Sequence, residues 1–376
     1  MERSEVYFSD LRCTFGQSQL DKLKRLIKRA GMGEIDFEDK LVAVKIHFGE
    51  WGNLAHLRPQ YARVMCEYIK EQGGKPFLTD ANTLYAGYRN NAVAHLGCAA
   101  MNGYNELVTG VPIIIADGLR GTDERLIPVP AGKHVKEAKV ASAVAEADVV
   151  ISLSHFKGHM VAGFGGALKN IGMGCGSKMG KMEMHSAGTP AIDEDLCCGC
   201  GACARNCANA GVEVQNGKAR ITDTCVGCGH CFSFCPKGAI ECKWDEAKAV
   251  MSEKVAEYTW ATLAGKPHFH VSFVMDVSPD CDCDPGNDVP MVPDVGMFAS
   301  FDPVALDQAC VDAVNAQPVF MNSAIAQAAR EHECCHAENA KDIFKLAHPD
   351  VCWEAGLTRG EELGLGTRNY QLIDVS

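Results

Sequence analysis

The chain has 376 residues, of which 47% are hydrophobic and 22% are charged. This apolar content is enough for a folded core and excludes a disordered protein. The formal net charge of −12 gives no electrostatic support to the binding of nucleic acid or of an anionic membrane. No apolar stretch approaches the roughly 18 residues of a membrane span, and the acidic N-terminal residues do not form a secretory signal. We therefore expect a soluble, cytoplasmic protein that has two domains, or one domain with an insertion.

The first part of the chain alternates between apolar runs, which predict strands, and segments that predict helices. The predicted strands cover residues 41–48, 76–79, 111–116 and 149–153, and the predicted helices cover residues 19–30, 59–72 and 90–101. Gly73 and Gly74 follow the second of these helices and are a typical helix stop. Strands that alternate with helices indicate βαβ units and a mainly parallel sheet.

Residues 157–187 are rich in glycine and interrupt this alternation, so we predict a loop, a short helix and a second loop there. A linker at residues 186–195 then leads into a cysteine-rich block at residues 197–235. The α/β pattern returns with a helix at 247–263, strands at 270–277 and 294–300, and a helical C-terminal stretch at 323–356. Asp302 followed by Pro303 predicts the start of a further helix.

The cysteine-rich block is thus predicted to be inserted into one α/β domain. The expected fold is α/β, with a mainly parallel sheet flanked by helices and with a small inserted α+β domain. The predicted boundaries are 1–187 for the first part of the α/β domain, 188–245 for the insert and 246–376 for the second part.

The cysteines of the block carry the strongest chemical signal. Nine of the 20 cysteines lie between residues 197 and 235, and in a cytosolic protein such a group indicates metal binding rather than disulfides. Two runs share one spacing: Cys197-x2-Cys200-x2-Cys203-x3-Cys207 and Cys225-x2-Cys228-x2-Cys231-x3-Cys235. A zinc site is the alternative, but zinc sites use two pairs of ligands rather than two quartets.

This spacing resembles that of bacterial ferredoxins with two [4Fe-4S] clusters, in which the fourth cysteine of each run binds the other cluster. The resemblance implies one cluster on Cys197, Cys200, Cys203 and Cys235 and a second on Cys225, Cys228, Cys231 and Cys207. Two positions depart from the pattern. Ala208 replaces the proline after the fourth cysteine, and Cys198 is an extra thiol that does not keep the spacing.

The glycine-rich region and three later segments resemble the DUF362 family of domains of unknown function. The matching residues are 153–170, 180–185, Asp276, 281–283 and 302–309. The resemblance covers most of residues 40–320 and implies an architecture that often includes a two-cluster ferredoxin insert. It does not imply a substrate.

The central motif is also similar to that of the nickel-pincer lactate racemases. The similarity rests on His159-x3-Gly163-x2-Gly166-x2-Lys169 and on His185 sixteen residues later. It implies Lys169 as the tether of a pyridinium cofactor, His185 as a nickel ligand and His159 as the base in proton transfer. A lysine amine and a neutral imidazole suit the first two roles.

A simpler interpretation of the same region is an anion site. Gly163, Gly165 and Gly166 would expose backbone N–H groups at a helix start, where phosphate or carboxylate binds. Lys157, Lys169, Lys178 and Lys181 would add positive charge. Alternatively, the glycines only allow close packing and the lysines are solvated.

Several other residues could line a cleft. His47 and His155 end predicted strands, where ligands of α/β sheets gather, although a packed neutral histidine is an equal alternative. Cys281 and Cys283 are candidates for the cleft or ordinary buried thiols. The His-Glu-Cys-Cys-His segment at residues 332–336 is expected to have a surface or packing role.

Together these features predict an iron–sulfur oxidoreductase of an anaerobic or microaerobic cell. Its two [4Fe-4S] clusters would exchange single electrons with a redox partner protein and with a site built from His155, His159, Lys169 and His185. A small anionic molecule, or a second cofactor, would bind at the glycine-rich region. The alternatives are a non-catalytic electron carrier with a docking α/β domain, and an isomerase or racemase. A homodimer is one possible assembly.

Overall fold

The computed structural model describes residues 3–334 and 342–376, without the side chains of residues 331–334. The His-Glu-Cys-Cys-His segment at residues 332–336 therefore lies outside the described side chains. The same gap interrupts the predicted C-terminal helical stretch.

The strands of the described residues are, in chain order, β1 Ser4–Asp10, β2 Leu41–Ile46, β3 Lys75–Asp80, β4 Ile113–Ile115, β5 Glu124–Pro128, β6 Glu137–Ala141, β7 Val149–His155, β8 Lys157–His159, β9 Gly163–Gly165, β10 Ala191–Ile192, β11 Val212–Gln215, β12 Lys218–Ile221, β13 Ile240–Glu241, β14 His268–Val274, β15 Gly296–Ser300 and β16 Tyr370–Asp374.

The helices are α1 Gln19–Arg29, α2 Pro59–Glu71, α3 Ala92–Met101, α4 Glu106–Thr109, α5 Ser142–Glu146, α6 Ala167–Cys175, α7 Lys178–His185, α8 Ala202–Arg205, α9 Lys248–Leu263, α10 Pro303–Asn315, α11 Ala326–Cys334, α12 Ile343–Ala347 and α13 Trp353–Glu362. Short 3₁₀ turns cover Met32–Glu34 and His230–Phe234.

An eight-stranded sheet of order β16-β1-β15-β14-β7-β2-β3-β4 forms the centre of the protein. Its pairs β1–β16, β14–β7, β7–β2, β2–β3 and β3–β4 are parallel, and only the two pairs that involve β15 are antiparallel. The predicted α/β class with a mainly parallel sheet is confirmed. Strands from both sides of the cysteine-rich block contribute to this sheet, because β14 and β15 follow the block in the chain.

Helices cover both faces of the sheet because successive side chains of a strand point to opposite faces. Along β15, Met297 and Ala299 pack with α1 and α2 in one core, while Phe298 packs with α6 and α10 in another. Strands that are buried on both faces read as continuous apolar runs in the sequence. This explains why the central strands were predictable.

Several elements differ from the sequence expectations. The predicted loop at the start of the glycine-rich region is a hairpin of β8 and β9, and the predicted second loop is largely helix α7, which begins at the N-cap Ser177. Strands β1 and β16, which pair with each other at one end of the sheet, were not predicted, and β16 follows the helical C-terminal stretch. The hairpin strands β8 and β9 have three residues each, which is too few for the repeated pattern that identifies an element from sequence alone.

Residues 188–245 form two small sheets of their own, β10 with β13 and β11 with β12. A small cluster of buried side chains, which includes Cys203, Cys231 and Ile240, lies between them. No helix of the described residues is long and apolar enough to cross a membrane.

A glycine substitution tests the close contact between α6 and α9. A Cβ atom at Gly172 in α6 would lie 2.2 Å from the Val255 carbonyl oxygen and 2.7 Å from Thr259 Oγ1. We expect Gly172→Ala to lower the free energy of unfolding by about 1–3 kcal/mol, because overpacking forces the helices apart. Gly97 in α3 is the matched control: a Cβ atom there meets nothing within 4 Å, so Gly97→Ala should stabilise by about 0.5–1 kcal/mol. Urea unfolding measures both, and equal effects would contradict the contact.

Candidate active site

A cavity of about 430 Å³ lies at the carboxyl ends of the parallel strands β2, β3 and β7. His47, Asp80 and His155 line it from these strand ends, and Cys281 and Cys283 line it from the loop after β14. Helices α6 and α7 form the opposite wall. Ligands of open α/β sheets bind at this edge, which makes the cavity the candidate active site.

The cavity brings together most of the residues selected from the sequence. His155, His159, Lys169 and His185 all line it, together with Gly165 and Gly166. Gly163 is not among the lining residues; it has a left-handed φ of 82° and packs against Trp353, so that a Cβ atom would lie 2.8 Å from Trp353 Cβ.

The start of α6 is already capped by a carboxylate of the chain itself. Asp307 Oδ1 accepts a hydrogen bond from the Ala167 N–H at 2.6 Å, and Asp307 Oδ2 accepts one from the Leu168 N–H at 3.0 Å. Burial raises the pKa of Asp307 to about 7, against the effect of these bonds. A Cβ atom at Gly166 would lie 2.3 Å from Asp307 Oδ1. Asp307 therefore occupies the N–H groups of Ala167 and Leu168 at the start of α6.

A second buried carboxylate, Asp282, organises the floor of the cavity. Asp282 is fully buried; its Oδ1 lies 2.8 Å from His155 Nδ1 and its Oδ2 lies 3.2 Å from Lys157 Nζ. Burial alone would raise the pKa of Asp282, but His155 and Lys157 hold it well below its usual range. The ring of His155 also contacts the Met275 carbonyl oxygen through Nε2 at 2.8 Å. Both ring nitrogens thus face oxygen atoms of the protein, so that His155 positions Asp282.

His159 is held by its own turn. Its Nδ1 accepts hydrogen bonds from the N–H groups of Val161 and Ala162 at 3.1 and 2.9 Å. Burial, with the nearby Lys169 and His185, lowers the pKa of His159 well below its usual range. The ring is therefore neutral and carries its hydrogen on Nε2. His159 can donate a hydrogen bond to a ligand, but the role of proton-accepting base that the racemase similarity implied does not suit this geometry.

Basic side chains dominate the cavity wall. Lys45 Nζ lies 2.9 Å from both Asp80 Oδ1 and Asn170 Oδ1, and Arg89 Nε lies 3.0 Å from Glu50 Oε2. These buried pairs fix the geometry of the wall because each charge is compensated. Lys169 Nζ, in contrast, contacts the sulfur of Cys281 at 3.7 Å.

His185 ends α7 and stands against Trp244, with ring centroids 4.6 Å apart. Burial lowers the pKa of His185 to about 3, and Lys169 and Lys181 add to the effect. Trp244 follows β13 in the cysteine-rich segment and also lines the cavity. This segment and the α/β body therefore meet at the wall of the candidate site.

The two cysteine runs have matching glycine turns. Gly199 and Gly201 in the first run, and Gly227 and Gly229 at the equivalent positions of the second, have φ between 65° and 73°. Glycine adopts this left-handed conformation without strain, and in both runs it turns the chain tightly around the cysteine between the two glycines.

Cys197, Cys200, Cys203 and Cys235 line one small cavity. The Ala219 N–H donates to Cys197 Sγ at 3.3 Å, and the Ala239 N–H donates to Cys235 Sγ at 3.2 Å. These four thiols, which come from both runs, are the group assigned to the first cluster by the ferredoxin resemblance.

The remaining four cysteines are also neighbours. Burial raises the pKa of Cys231 to about 12, and the nearby Cys228 and Cys225 contribute to this shift. The Gly211 N–H donates to Cys207 Sγ at 3.1 Å, and a Cβ atom at Gly211 would lie 2.7 Å from Cys225 Cα. Cys207 therefore lies beside the second run.

Within residues 3–334 and 342–376, no group of three or more His, Cys, Asp or Glu side chains is arranged to hold a single metal ion. A cubane [4Fe-4S] cluster requires a different arrangement of its ligands. Each of its four thiolates binds a different iron atom, so that the sulfurs surround a larger volume than the ligands of one ion.

Sequence reasoning missed the residues that depend on distant partners. Lys45, Asp80 and Arg89 were not selected, although they line the cavity, and Asp282 was noted only within a family motif. A lysine in the buried apolar strand β2, as Lys45 is, was a usable signal, because a buried charge requires a partner.

The histidine that ends α7 gives a pH prediction. Because the pKa of His185 is about 3 in the folded protein and about 6.5 in an unfolded chain, the unfolded state binds more protons between these values. His185 therefore lowers stability as the pH falls below about 6.5. We expect His185→Gln to reduce the loss of unfolding free energy between about pH 7.5 and about pH 5 by up to about 2 kcal/mol. Urea unfolding at the two pH values measures it, and an identical loss in both proteins would contradict a neutral buried His185.

Comparison with known proteins places the chain in a family. The model of the family described as domain of unknown function (DUF362) matches residues 42–312, whereas a search of curated proteins finds no match. Among solved structures, a lactate racemase apoprotein from Thermoanaerobacterium thermosaccharolyticum has 13% identity and a TM-score of 0.33, over 73% of this chain and 51% of that one. A protein from Thermotoga maritima has 11% identity and a TM-score of 0.34, over 68% and 50%. The chain spans about half the length of these two proteins. Because the family model covers most of the chain, the protein belongs to the DUF362 family.

Proposed function

We propose that the protein binds two [4Fe-4S] clusters and exchanges single electrons with a small anionic molecule in the basic cavity. The observation that carries this proposal is the pair of cysteine quartets on matching glycine turns, next to a cavity lined by lysines. Such clusters supply one-electron transfer when bound.

The cysteine-rich segment provides the features that a cluster requires. Cys197, Cys200, Cys203 and Cys235 would hold one cluster, and Cys225, Cys228, Cys231 and Cys207 the other. The N–H groups of Ala219, Ala239 and Gly211 donate to cysteine sulfurs. These bonds favour the thiolate form that binds metal.

The turn of the second quartet packs against helix α7, which lines the cavity. A Cβ atom at Gly229 would lie 2.9 Å from Met182 Cβ in α7, and Met182 packs with Leu84 and Phe232. Leu84 also lines the cavity. Met182 and Leu84 therefore lie between the turn of the second quartet and the cavity. Cys198 and Cys200 of the first run are exposed, which suits an approach by a redox partner protein.

The charge of the cavity favours an anion. Lys45, Arg89 and Lys157 are paired with buried carboxylates, whereas Lys169 contacts only the sulfur of Cys281 among its described polar partners. In a protein with net charge −12, this local positive charge attracts small anions from solution. Lys169 would bind and orient the ligand, and His159 Nε2–H would donate a hydrogen bond to it.

Metal and sulfide analysis tests the cluster assignment. We expect anaerobically purified protein to contain about eight irons and as many acid-labile sulfides per chain. Cys228→Ala should lose about half of the iron, because a cluster that lacks one of its thiolates is released. Cys198→Ala is the control and should keep all of it, since Cys198 lies within the first cysteine run but outside the ligand spacing. Zinc in place of iron, or equal losses in both variants, would contradict the proposal.

A second substitution separates an enzyme from an electron carrier. We expect Lys169→Ala to keep its iron and its reduction by dithionite, but to lose at least about tenfold in ligand-dependent reoxidation, because the anion is no longer held. Stopped-flow absorbance measures the reoxidation. Unchanged reoxidation by every partner would favour the carrier, and proton exchange on a 2-hydroxy acid without electron flow would favour the racemase.

A further inference from the structure

One group in the cavity has no role in the proposed electron transfer: the thiol pair of Cys281 and Cys283. Both side chains line the cavity, on the loop that Asp282 anchors to His155 and Lys157. The position of these sulfurs is thus fixed by buried ion pairs rather than by a flexible loop. Rigid placement of this kind is typical of reactive residues in binding sites.

We propose that Cys281 is the nucleophilic residue of this cavity and that its sulfur adds to the carbonyl carbon of a small carboxylic acid that bears an aldehyde or ketone group. This inference takes from the proposed function only that the ligand is anionic. It does not depend on the clusters.

The surroundings of Cys281 favour a thiolate. The Lys169 Nζ lies 3.7 Å from the Cys281 sulfur. The neighbouring Cys283 thiol, with Lys169 and Lys157, holds the pKa of Cys281 well below its usual range despite burial. A nearby ammonium group and a nearby thiol both favour the thiolate form of Cys281.

Two other buried cysteines show that burial alone does not lower the pKa of a thiol. Burial raises the pKa of Cys66 to about 12 and that of Cys175 to about 11. Lys45 and Lys181 lie near Cys175 and do not reverse the shift. What distinguishes Cys281 is the Lys169 Nζ at 3.7 Å together with a neighbouring thiol.

Cys281, Lys169 and His159 supply the groups that the addition step requires. A lone pair on Cys281 Sγ forms the new S–C bond while the π electrons of the carbonyl move to its oxygen. That oxygen takes a proton from the Lys169 ammonium group, and His159 Nε2–H donates a hydrogen bond to it. Nothing leaves and nothing is oxidised or reduced. The ligand carboxylate is attracted by the basic wall of the cavity.

Competitive alkylation tests this inference on the anaerobically purified protein. Iodoacetate and iodoacetamide are applied in parallel, and peptide mass spectrometry gives the alkylation rate of each cysteine. We expect Cys281 to react faster than Cys66 and Cys175. Its iodoacetate-to-iodoacetamide rate ratio should exceed that of the exposed Cys13 by roughly tenfold, because the cavity attracts the anionic reagent.

Two variants of Lys169 and a competing small molecule test the same inference. Lys169→Met should reduce the rate ratio of Cys281 toward that of Cys13, and Lys169→Arg should restore it. Glyoxylate, which carries both an aldehyde and a carboxylate, should protect Cys281 at concentrations at which acetate does not.

Three outcomes would overturn the inference: a Cys281 that reacts no faster than Cys175, a rate ratio equal to that of Cys13, or equal protection by glyoxylate and acetate. Protection that a chelator relieves would also overturn it, because Cys281 would then be a metal ligand. Iron content, measured on the same sample, tests the clusters separately. A protein without iron can therefore still show the reactive Cys281, and a protein with full iron can still lack it.

Discussion

The candidate site depends on the burial of one carboxylate, Asp282, at the end of the central sheet. A buried charge of this kind is tolerated only when it is paired and hydrogen-bonded. His155 at the end of β7 and Lys157 at the start of β8 supply those partners. The Asp282 carbonyl oxygen also accepts the Glu50 N–H at 2.8 Å, and Glu50 in turn holds Arg89. One residue thus connects the loop after β14, the end of β7 and the basic wall of the cavity.

This arrangement determines which charges a ligand can use. Lys45, Arg89 and Lys157 are neutralised by buried acids and act as rigid parts of the wall. The helix start at the glycine-rich turn is neutralised as well, since Asp307 accepts from its N–H groups. Lys169, in contrast, faces the Cys281 sulfur rather than a carboxylate within the described part of the chain. Preorganised charges of this kind cost no rearrangement when a ligand binds.

Features that depend on residues close together in the chain could be predicted from the sequence, whereas features that depend on residues far apart could not. Helix α2 was predicted almost to the residue because its pattern, its stop signal and its first-turn proline are all local. The lining of the cavity by His155, His159, Lys169 and His185 also followed from local motifs. The capping of α6 by Asp307 could not be predicted, because Asp307 lies about 140 residues further along the chain. The tautomer of His159 likewise depends on backbone N–H groups whose direction only the folded turn defines.

Helix α7 is the element that relates the cysteine-rich segment to the cavity. Its residues Lys181 and His185 line the cavity, while Met182 packs against the glycine turn of the second cysteine run. Helix α7 therefore contacts both surfaces, and the neutral ring of His185 at its end is in contact with Trp244 of the cysteine-rich segment. This short helix comes directly before the segment that holds the cysteines in the sequence. The proposed clusters and the proposed ligand would therefore both lie near α7.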